Sequence, residues 1–247
     1  MKLAITTACS TLLFALFSVS SASPQTADRL PSTDDVIGKM MQVDVERRAE
    51  MTGYTAARRY IAVNGNRRAE MVVRVDCSAD GAKQFAIVSE KGSTSIRKHA
   101  LYKMLTEENE ASRRESRDGS RITPANYRFK IFGQETLDTG PAYVLAITPK
   151  TGNKYLIDGK IWVGATDYSI VRIEGQPARN PSFWVHDVHF VHTYQRVGQF
   201  WFAASTHTTS EVRIFGPSEL TIDNSDYVLN SPKDRTAETE SVARLVP

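Results

Sequence analysis

Two runs of residues that alternate between apolar and polar side chains surround an Asn64-Gly65 dipeptide. The runs cover residues 54–63 and 67–77. Asn-Gly between two alternating runs is the strongest short signal for a β-hairpin, because a type I′ turn requires positive φ at both central positions. A period of two also argues against a helix for these residues. The chain is therefore predicted to contain an antiparallel hairpin whose two faces differ in polarity.

The position of this turn predicts which residues of the hairpin lie opposite one another. One face is apolar except for Arg58, and the other is polar with a predicted Arg59–Glu70 ion pair. The pairs predicted on the apolar face are Tyr60 with Ala69, Arg58 with Met71, Ala56 with Val73, and Tyr54 with Val75. An arginine on an apolar face needs hydrogen-bond acceptors, which carbonyl groups of a covering helix could supply.

Further short strands are predicted along the chain, separated by turn signals such as Asp80-Gly81 and Gly140-Pro141. They cover residues 83–89, 127–132, 142–149, 154–163, 169–175, 183–194, 200–209, 212–215 and 220–222. Strands at this spacing indicate a meander that curves towards a barrel or half-barrel. The predicted fold class is mainly β, an unclosed antiparallel β-barrel covered by α-helices that form a lid.

Two amphipathic helices are available to cover the sheet, one from Asp34 or Asp35 to about Arg48 and one over residues 95–117. Their apolar stripes consist of Val36, Ile37, Met40 and Met41, and of Ile96, Ala100, Leu101, Met104 and Leu105. The second half of the later helix is almost wholly charged and is predicted to face solvent. Methionine fits irregular shapes, which suits an apolar cavity, but a dry packed core is compatible with the same pattern.

The N-terminal residues have the pattern of a secretory signal peptide. Lys2 precedes an apolar stretch over residues 3–19, and small residues lead to Ala22, where cleavage is predicted. An N-terminal membrane anchor is the alternative, although the densest apolar run is short for a bilayer. The predicted organisation is a signal peptide (1–22), a linker (23–33), one domain (34–230) and a disordered tail (231–247).

Charge and cysteine content exclude some classes of function. The formal net charge of +3 falls to +2 when Lys2 is removed, which argues against a nucleic-acid-binding protein. Cys77 is the one cysteine of the predicted mature chain, since Cys9 lies in the signal peptide. We interpret Cys77 as a packed strand residue, and a nucleophilic role would need a histidine close in space.

The histidines are the other candidates for chemistry. His186, His189 and His192 are spaced by three, but on a strand His186 and His192 share one face while His189 points away. His207 is predicted to lie near Val188. A zinc site needs three or four converging ligands, so a metal-assisted enzyme is the weaker alternative. No phosphate-binding, dinucleotide-binding or nucleophile-elbow motif occurs, and we predict a binding protein without catalytic residues, cofactor or metal.

Several segments together form a pattern that covers most of residues 34–230. They are Met104-Leu105-Thr106-Glu107-Glu108, Tyr143-Val144-Leu145, Thr148-Pro149-Lys150, Gly159-Lys160-Ile161-Trp162-Val163, Ile170-Val171-Arg172-Ile173-Glu174-Gly175, Pro181-Ser182-Phe183-Trp184 and Gly198-Gln199-Phe200-Trp201. With the helix-then-hairpin opening, they make the chain resemble the outer-membrane lipoprotein-sorting proteins, the periplasmic lipoprotein carriers of the LolA/LolB type.

The resemblance implies an unclosed barrel with a helical lid over an apolar cavity. It also implies a periplasmic protein that holds lipoprotein acyl chains or another lipid for sorting toward the outer membrane, and it allows inner- or outer-membrane proteins as partners. A regulatory branch of the family implies the alternative, an envelope sensor or assembly protein without lipid transfer. Neither implication includes catalysis or nucleic acid.

The residues predicted to bind the ligand come from the hairpin face and from the two helical stripes. On the sheet they are Tyr54, Tyr60, Met71 and Val73, and on the lid they are Met40, Met41, Leu101 and Met104. Arg58 is predicted to gate the lid, because it would lie alone on the apolar face and could bond to the helix above it.

Overall fold

The computed structural model describes residues 30–113 and 119–230. The predicted signal peptide, most of the predicted linker, the predicted tail and residues 114–118 of the predicted second helix lie outside the described residues. Within the described ranges, no helix is long and apolar enough to cross a membrane.

One antiparallel sheet of ten strands dominates the structure. The strands are β1 (Gly53–Asn64), β2 (Arg67–Ser78), β3 (Lys83–Gly92), β4 (Tyr127–Leu137), β5 (Gly140–Pro149), β6 (Ile157–Gly164), β7 (Ile170–Pro177), β8 (Val185–Val197), β9 (Phe200–Val212) and β10 (Gly216–Leu229). Their order is β3-β2-β1-β10-β9-β8-β7-β6-β5-β4, so β3 and β4 are the two edges. The sheet is not closed, and with its helices it confirms the predicted fold class of an unclosed half-barrel.

The β1–β2 hairpin is present, but its predicted register is wrong by two residues. Asn64 pairs with Arg67, so the two-residue loop is Gly65-Asn66 rather than Asn64-Gly65. Gly65 has φ +57°, as a glycine does at the first central position of a type II′ turn. The observed pairs are Tyr60 with Met71, Arg58 with Val73, Ala56 with Val75, and Tyr54 with Cys77. A slip of two residues leaves every side chain on its predicted face, since the period of a strand is two.

The first helix, α1 (Thr33–Glu50), covers one half of the sheet. The Ser32 hydroxyl caps it by accepting from the backbone N–H of Asp35 at 3.1 Å, and acidic residues in the first turn suit the helix dipole. Val36, Ile37 and Met40 are buried as predicted. They belong to a core with residues of β4 to β7, namely Tyr127, Leu145, Ile147, Ile161, Val163 and Ile173.

The second helical segment covers the other half of the sheet. It consists of α2 (Thr94–Ile96), a π-helical turn (Arg97–Leu101) and α3 (Tyr102–Ala111), which follow one another directly. The π-helical turn changes the rotational phase of the helix, so Ala100 is exposed instead of lying on the predicted apolar stripe. Leu101 and Leu105 are buried against β1 and β2, in a core that also contains Tyr60, Met71, Val73 and Val75.

Most predicted strands are present with shifted ends, and at two places residues predicted as strand lie in turns. Residues 212–215 and 220–222 do not form separate strands, because β10 runs without interruption from Gly216 to Leu229 after a turn at Arg213–Phe215. The predicted strand over residues 154–163 begins only at Ile157. In both places residues of high strand propensity lie in turns, where backbone geometry decides the conformation.

Candidate functional site

Arg58 lies where prediction placed it, buried on the inner face of β1 under α3. Its Nε donates to Asn224 Oδ1 on β10 at 2.7 Å, and its Nη1 donates to the Tyr60 hydroxyl at 3.2 Å. Nη1 also donates to Glu108 Oε2 at 2.6 Å. The helix therefore supplies a carboxylate, not the backbone carbonyls that were expected. A buried guanidinium is better satisfied by a carboxylate because that partner also neutralises its charge.

Glu108 links α3 to two strands at once. Besides Arg58 on β1 it accepts from Lys83 Nζ on β3 at 2.8 Å. Burial alone would raise the pKa of the Glu108 carboxyl, but Lys83 and Arg58 lower it to about 2. Burial likewise opposes the charge of Arg58, yet Glu108 and Tyr60 raise the pKa of the guanidinium. The pair is thus fully charged at neutral pH and fastens α3 across the inner face of the sheet.

Six of the nine predicted ligand-binding residues meet in one place beside Arg58. They are Tyr54, Tyr60, Met71, Val73, Leu101 and Met104. Tyr60, Met71, Val73 and Leu101 have at most 1% of their surface exposed, so in this conformation the region between α3 and the sheet is filled by side chains. A ligand could enter there only if α3 moved away.

The remaining two predicted residues, Met40 and Met41, lie on α1 in the other half of the molecule. They line a cleft of about 450 Å³ between α1, residues 120–122 and the sheet. Other apolar residues of the cleft are Ile122, Ile170, Phe200 and Trp201. This volume falls in the range of small-molecule sites, about 300–1,000 Å³, and its lining is mainly apolar with a few charged groups, as such sites usually are.

Three arginines, Arg47, Arg48 and Arg121, line the cleft. Arg48 and Arg121 both contact Asp44 Oδ2, at 2.7 and 2.8 Å. Arg47 contacts Asp167 Oδ2 at 3.1 Å, and the same oxygen accepts from Trp201 Nε1 at 2.7 Å. Three guanidinium groups thus lie beside the apolar lining of the cleft. This combination suits a ligand with an anionic head and an apolar body.

The carboxyl of Asp167 fixes the wall of this cleft. Its burial would raise its pKa, but the Trp201 indole N–H, the Ser169 backbone N–H and the Arg47 guanidinium together lower it. The charged carboxylate therefore holds the end of α1 against the start of β9. This arrangement orients the Trp201 indole at the cleft.

His192 lies on the inner face between the two halves of the sheet. Its Nδ1 is hydrogen-bonded to the Thr206 hydroxyl, and its ring packs against Tyr194 with 4.7 Å between centroids. Burial is the main cause that lowers its pKa to about 4, and the positive charges of Lys83 and Arg58 add to this despite Glu108. At neutral pH the imidazole is therefore uncharged.

The predicted faces of the histidines on β8 are wrong, and His189 and His207 together line a second, smaller cleft. A bulge with Asp187 at φ +49° separates His186 from His189, so His186 and His189 share a face while His192 lies on the opposite one. His207 pairs with Val191 instead of lying near Val188. Among residues 30–113 and 119–230 no group of three or more His, Cys, Asp or Glu could hold a metal ion. Cys77 is buried on β2.

The sequence analysis did not predict the partner of Arg58 or the charged residues that line the cleft. Glu108 was assigned to the solvated part of its helix, yet it lies four residues after Met104 and seven after Leu101. This spacing places it on the apolar face, and an acid on that face opposite a lone buried arginine was a usable signal. No comparable signal links Arg47 to Asp167, which lie 120 positions apart in the chain.

No protein-family model matches the chain, and no curated protein matches it. Among solved structures, it is similar to a DUF1329 family protein from Desulfovibrio piger, with a TM-score of 0.45, 12% identity, and 82% of this chain and 95% of that chain covered. It is also similar to a putative outer membrane lipoprotein-sorting protein domain from Vibrio parahaemolyticus, with a TM-score of 0.40, 15% identity, and 79% and 94% covered.

A third similar structure is a LolA superfamily protein from Nitrosomonas europaea, with a TM-score of 0.38, 10% identity, and 83% of this chain and 97% of that chain covered. The structural neighbours thus include the family that the sequence resembles. At these identities a similarity concerns the fold alone.

Proposed function

We propose that the protein is an exported binding protein that holds an apolar ligand with an anionic head in the cleft beneath α1. The observation that carries this proposal is the combination of an apolar lining with three arginines that also line the cleft. An acyl chain would occupy the apolar part, where Met40 and Met41 adapt to its shape. Its carboxylate or phosphate would accept hydrogen bonds from the guanidinium groups that line the cleft.

The periplasm is the proposed location, and lipoprotein acyl chains are the proposed cargo. Both follow from the signal-peptide pattern and from the family resemblance of the sequence. In such a carrier the ligand would be received at one membrane and released toward the outer membrane, with membrane proteins as the partners for both steps. Catalysis forms no part of this proposal.

Arg58 is proposed to control a second, closed binding region. The six predicted residues beside it form a packed core while Glu108 fastens α3 to the sheet. Release of that ion pair would allow α3 to move and would open apolar surface continuous with the inner face of the sheet. The cleft beneath α1 would then be the site of first contact for the ligand, and the region beneath α3 would admit longer chains.

Fluorescence titration with an environment-sensitive fatty acid tests the cleft. Met41→Arg should weaken binding at least about tenfold, because a charged side chain would project into the apolar cleft. Val45→Arg is the matched control, since Val45 is on the same helix, is exposed and does not line the cleft. Equal affinities for the two variants would contradict the proposed site.

A protein-interaction role is the second candidate, and one feature favours it. The outer edge of β3 pairs with no described strand, and it exposes Ile87 and Val88. Such an edge can accept a strand from a partner. Replacing Val88 with Lys should abolish a complex formed in this way, whereas it should leave fatty-acid binding in the cleft unchanged.

A further inference from the structure

Three turns meet at one end of the sheet, at the ends of the adjacent strands β1, β10, β9 and β8. They are the β1–β2 turn at Gly65-Asn66, the β9–β10 turn at residues 213–215, and the segment of residues 183–184 that leads into β8. The cleft lining includes Tyr194 and Phe200, which lie near the other end of β8 and β9. The turns and the cleft are therefore at opposite ends of the same two strands.

Hydrogen bonds join the three turns into one surface, which we call the tip. The Arg213 backbone N–H donates to the Trp184 carbonyl at 2.9 Å, and Arg213 Nε donates to the Phe183 carbonyl at 2.8 Å. Asn64 Nδ2 donates to the Phe215 carbonyl at 3.0 Å. Because each turn is bonded to another, the tip is a defined surface rather than three independent loops.

Large apolar side chains point away from the protein at this tip. Phe183, Trp184, Ile214 and Phe215 are exposed, with 87% of the Ile214 surface accessible to solvent. Ile214 also has φ +75°, a conformation in which a β-branched residue is a genuine outlier. Neither its exposure nor its backbone conformation helps folding, so the residue is better explained by a contact that the tip makes outside this chain.

The tip is also positively charged. Residues 64–67, 179–184 and 213–217 contain Arg67, Arg179 and Arg213 and no acidic residue, whereas the neighbouring Arg68 contacts Glu70 at 3.9 Å. Arg213 stacks on the Phe183 ring at 4.5 Å and Arg67 lies over the Phe215 ring at 5.1 Å. Arg213 donates a hydrogen bond to the Phe183 carbonyl, and Arg67 donates one to the Asn64 side chain. Both acceptors are uncharged. Two guanidinium groups are thus held beside exposed aromatic rings.

We propose that this tip docks the protein on a membrane surface that carries anionic lipid headgroups. Tryptophan and other aromatic side chains favour the interface between headgroups and acyl chains. Arginines beside them are attracted by anionic phosphates. A surface that binds the tip must therefore offer an apolar interior to the exposed aromatic and aliphatic side chains and negative groups to the arginines. An anionic bilayer has this arrangement, with acyl chains beneath phosphate headgroups. Docking through the tip would leave the cleft at the opposite end of β8 and β9 accessible.

Co-sedimentation with vesicles tests the proposal, using phosphatidylcholine alone and phosphatidylcholine mixed with phosphatidylglycerol. The intact protein should bind the anionic vesicles, and its Trp184 emission should shift to shorter wavelength. Ile214→Asn should reduce binding at least about tenfold, the effect of removing one large apolar group from an apolar environment. Asparagine tolerates the left-handed conformation, so this variant should fold at least as well as the parent protein.

Matched variants separate the tip from other surfaces. Val88→Asn, which replaces another strongly exposed apolar residue on β3, should leave vesicle binding unchanged. Arg67→Gln combined with Arg213→Gln should remove the preference for phosphatidylglycerol. Met41→Arg, which blocks the cleft, should bind vesicles as the parent protein does, so that failure of the cleft proposal and failure of this one are distinguishable.

Several results would overturn docking on an anionic membrane. One is equal binding to both vesicle types, and another is absence of binding to either. A third is that Ile214→Asn and Val88→Asn bind vesicles equally well. A change from dimer to monomer in Ile214→Asn, together with no vesicle binding by the parent protein, would assign the tip to contact between two copies of the chain.

Discussion

Replacing Glu108 with Gln should destabilise the protein more than replacing Arg58 with Met, although both changes break the same ion pair. The Arg58 side chain is only 7% exposed, whereas that of Glu108 is 31% exposed and keeps Lys83 as a partner. Glu108→Gln therefore leaves a buried positive charge without a counter-charge. Arg58→Met leaves a carboxylate that is still paired and partly hydrated.

Breaking a buried pair costs about 3–5 kcal/mol, and because the Glu108 side chain is 31% exposed we expect the lower end of this range, about 3 kcal/mol, for Glu108→Gln. For Arg58→Met we expect about 1–2 kcal/mol, mainly because Asn224 and Tyr60 lose a hydrogen-bond donor. The double variant contains no buried charge at this position. It should be more stable than Glu108→Gln alone by at least about 1 kcal/mol, since removal of both charges avoids the penalty of an unpaired ion.

Urea unfolding followed by circular dichroism measures these differences, with an unchanged m-value as evidence that the unfolded state is comparable. Glu107→Gln is the control. Glu107 lies beside Glu108 on α3, but its ion pairs with Lys103 and Lys154 are both 3.9 Å long, so its loss should cost less than about 0.5 kcal/mol. Equal costs for Arg58→Met and Glu108→Gln, or no rescue in the double variant, would refute the description of Glu108 as the anchor of α3.

Two further predictions concern pH and backbone packing. The folded-state pKa of His192, about 4, lies below its ordinary value of 6.5, so the unfolded chain takes up the proton first and stability should fall as the pH drops from 6.5 towards 4. Urea unfolding at pH 7 and pH 5 should show a loss of about 1–2 kcal/mol that is absent in His192→Gln, and equal losses in both proteins would contradict this. A Cβ added at Gly159 would lie 2.1 Å from the Glu174 carbonyl oxygen, whereas a Cβ added at Gly38 on α1 would meet no atom within 4 Å. Thermal unfolding should therefore show a large decrease in Tm for Gly159→Ala and a gain of about 0.5–1 kcal/mol for Gly38→Ala, and the reverse order would contradict the close approach of β6 and β7.

Alternation and turn signals were sufficient to predict the sheet and the faces of β1 and β2. The hairpin shows the limit of this reasoning, because Arg58 is on the predicted face although every predicted pair is shifted by two residues. The face on which a strand side chain lies depends only on whether its position is odd or even along the strand. The pairing register depends in addition on which two residues form the turn. The bulge at Asp187 reversed the predicted faces of the histidines for the same reason, since one extra residue changes the parity.

The candidate site was less predictable because it depends on contacts between distant parts of the chain. Hydrophobic periodicity correctly placed Met40 and Leu101 on helix faces that cover the sheet. It could not show that the two helices cover different halves of the sheet, or that a cleft exists beneath one and a filled core beneath the other. The pairing of Arg47 with Asp167 is set by how α1 packs on the sheet, and no local pattern encodes it.

Native mass spectrometry of the protein isolated from the compartment to which it is exported tests the central claim, that the cleft beneath α1 holds an acyl ligand. We predict an additional mass on the parent protein and on Val45→Arg, identified as an acylated species by lipid extraction, and its loss from Met41→Arg. A bare polypeptide mass for the parent protein, with no uptake of added acyl ligand, would contradict the claim. The claim would also be contradicted if Met41→Arg carried the same amount of bound lipid as the parent protein.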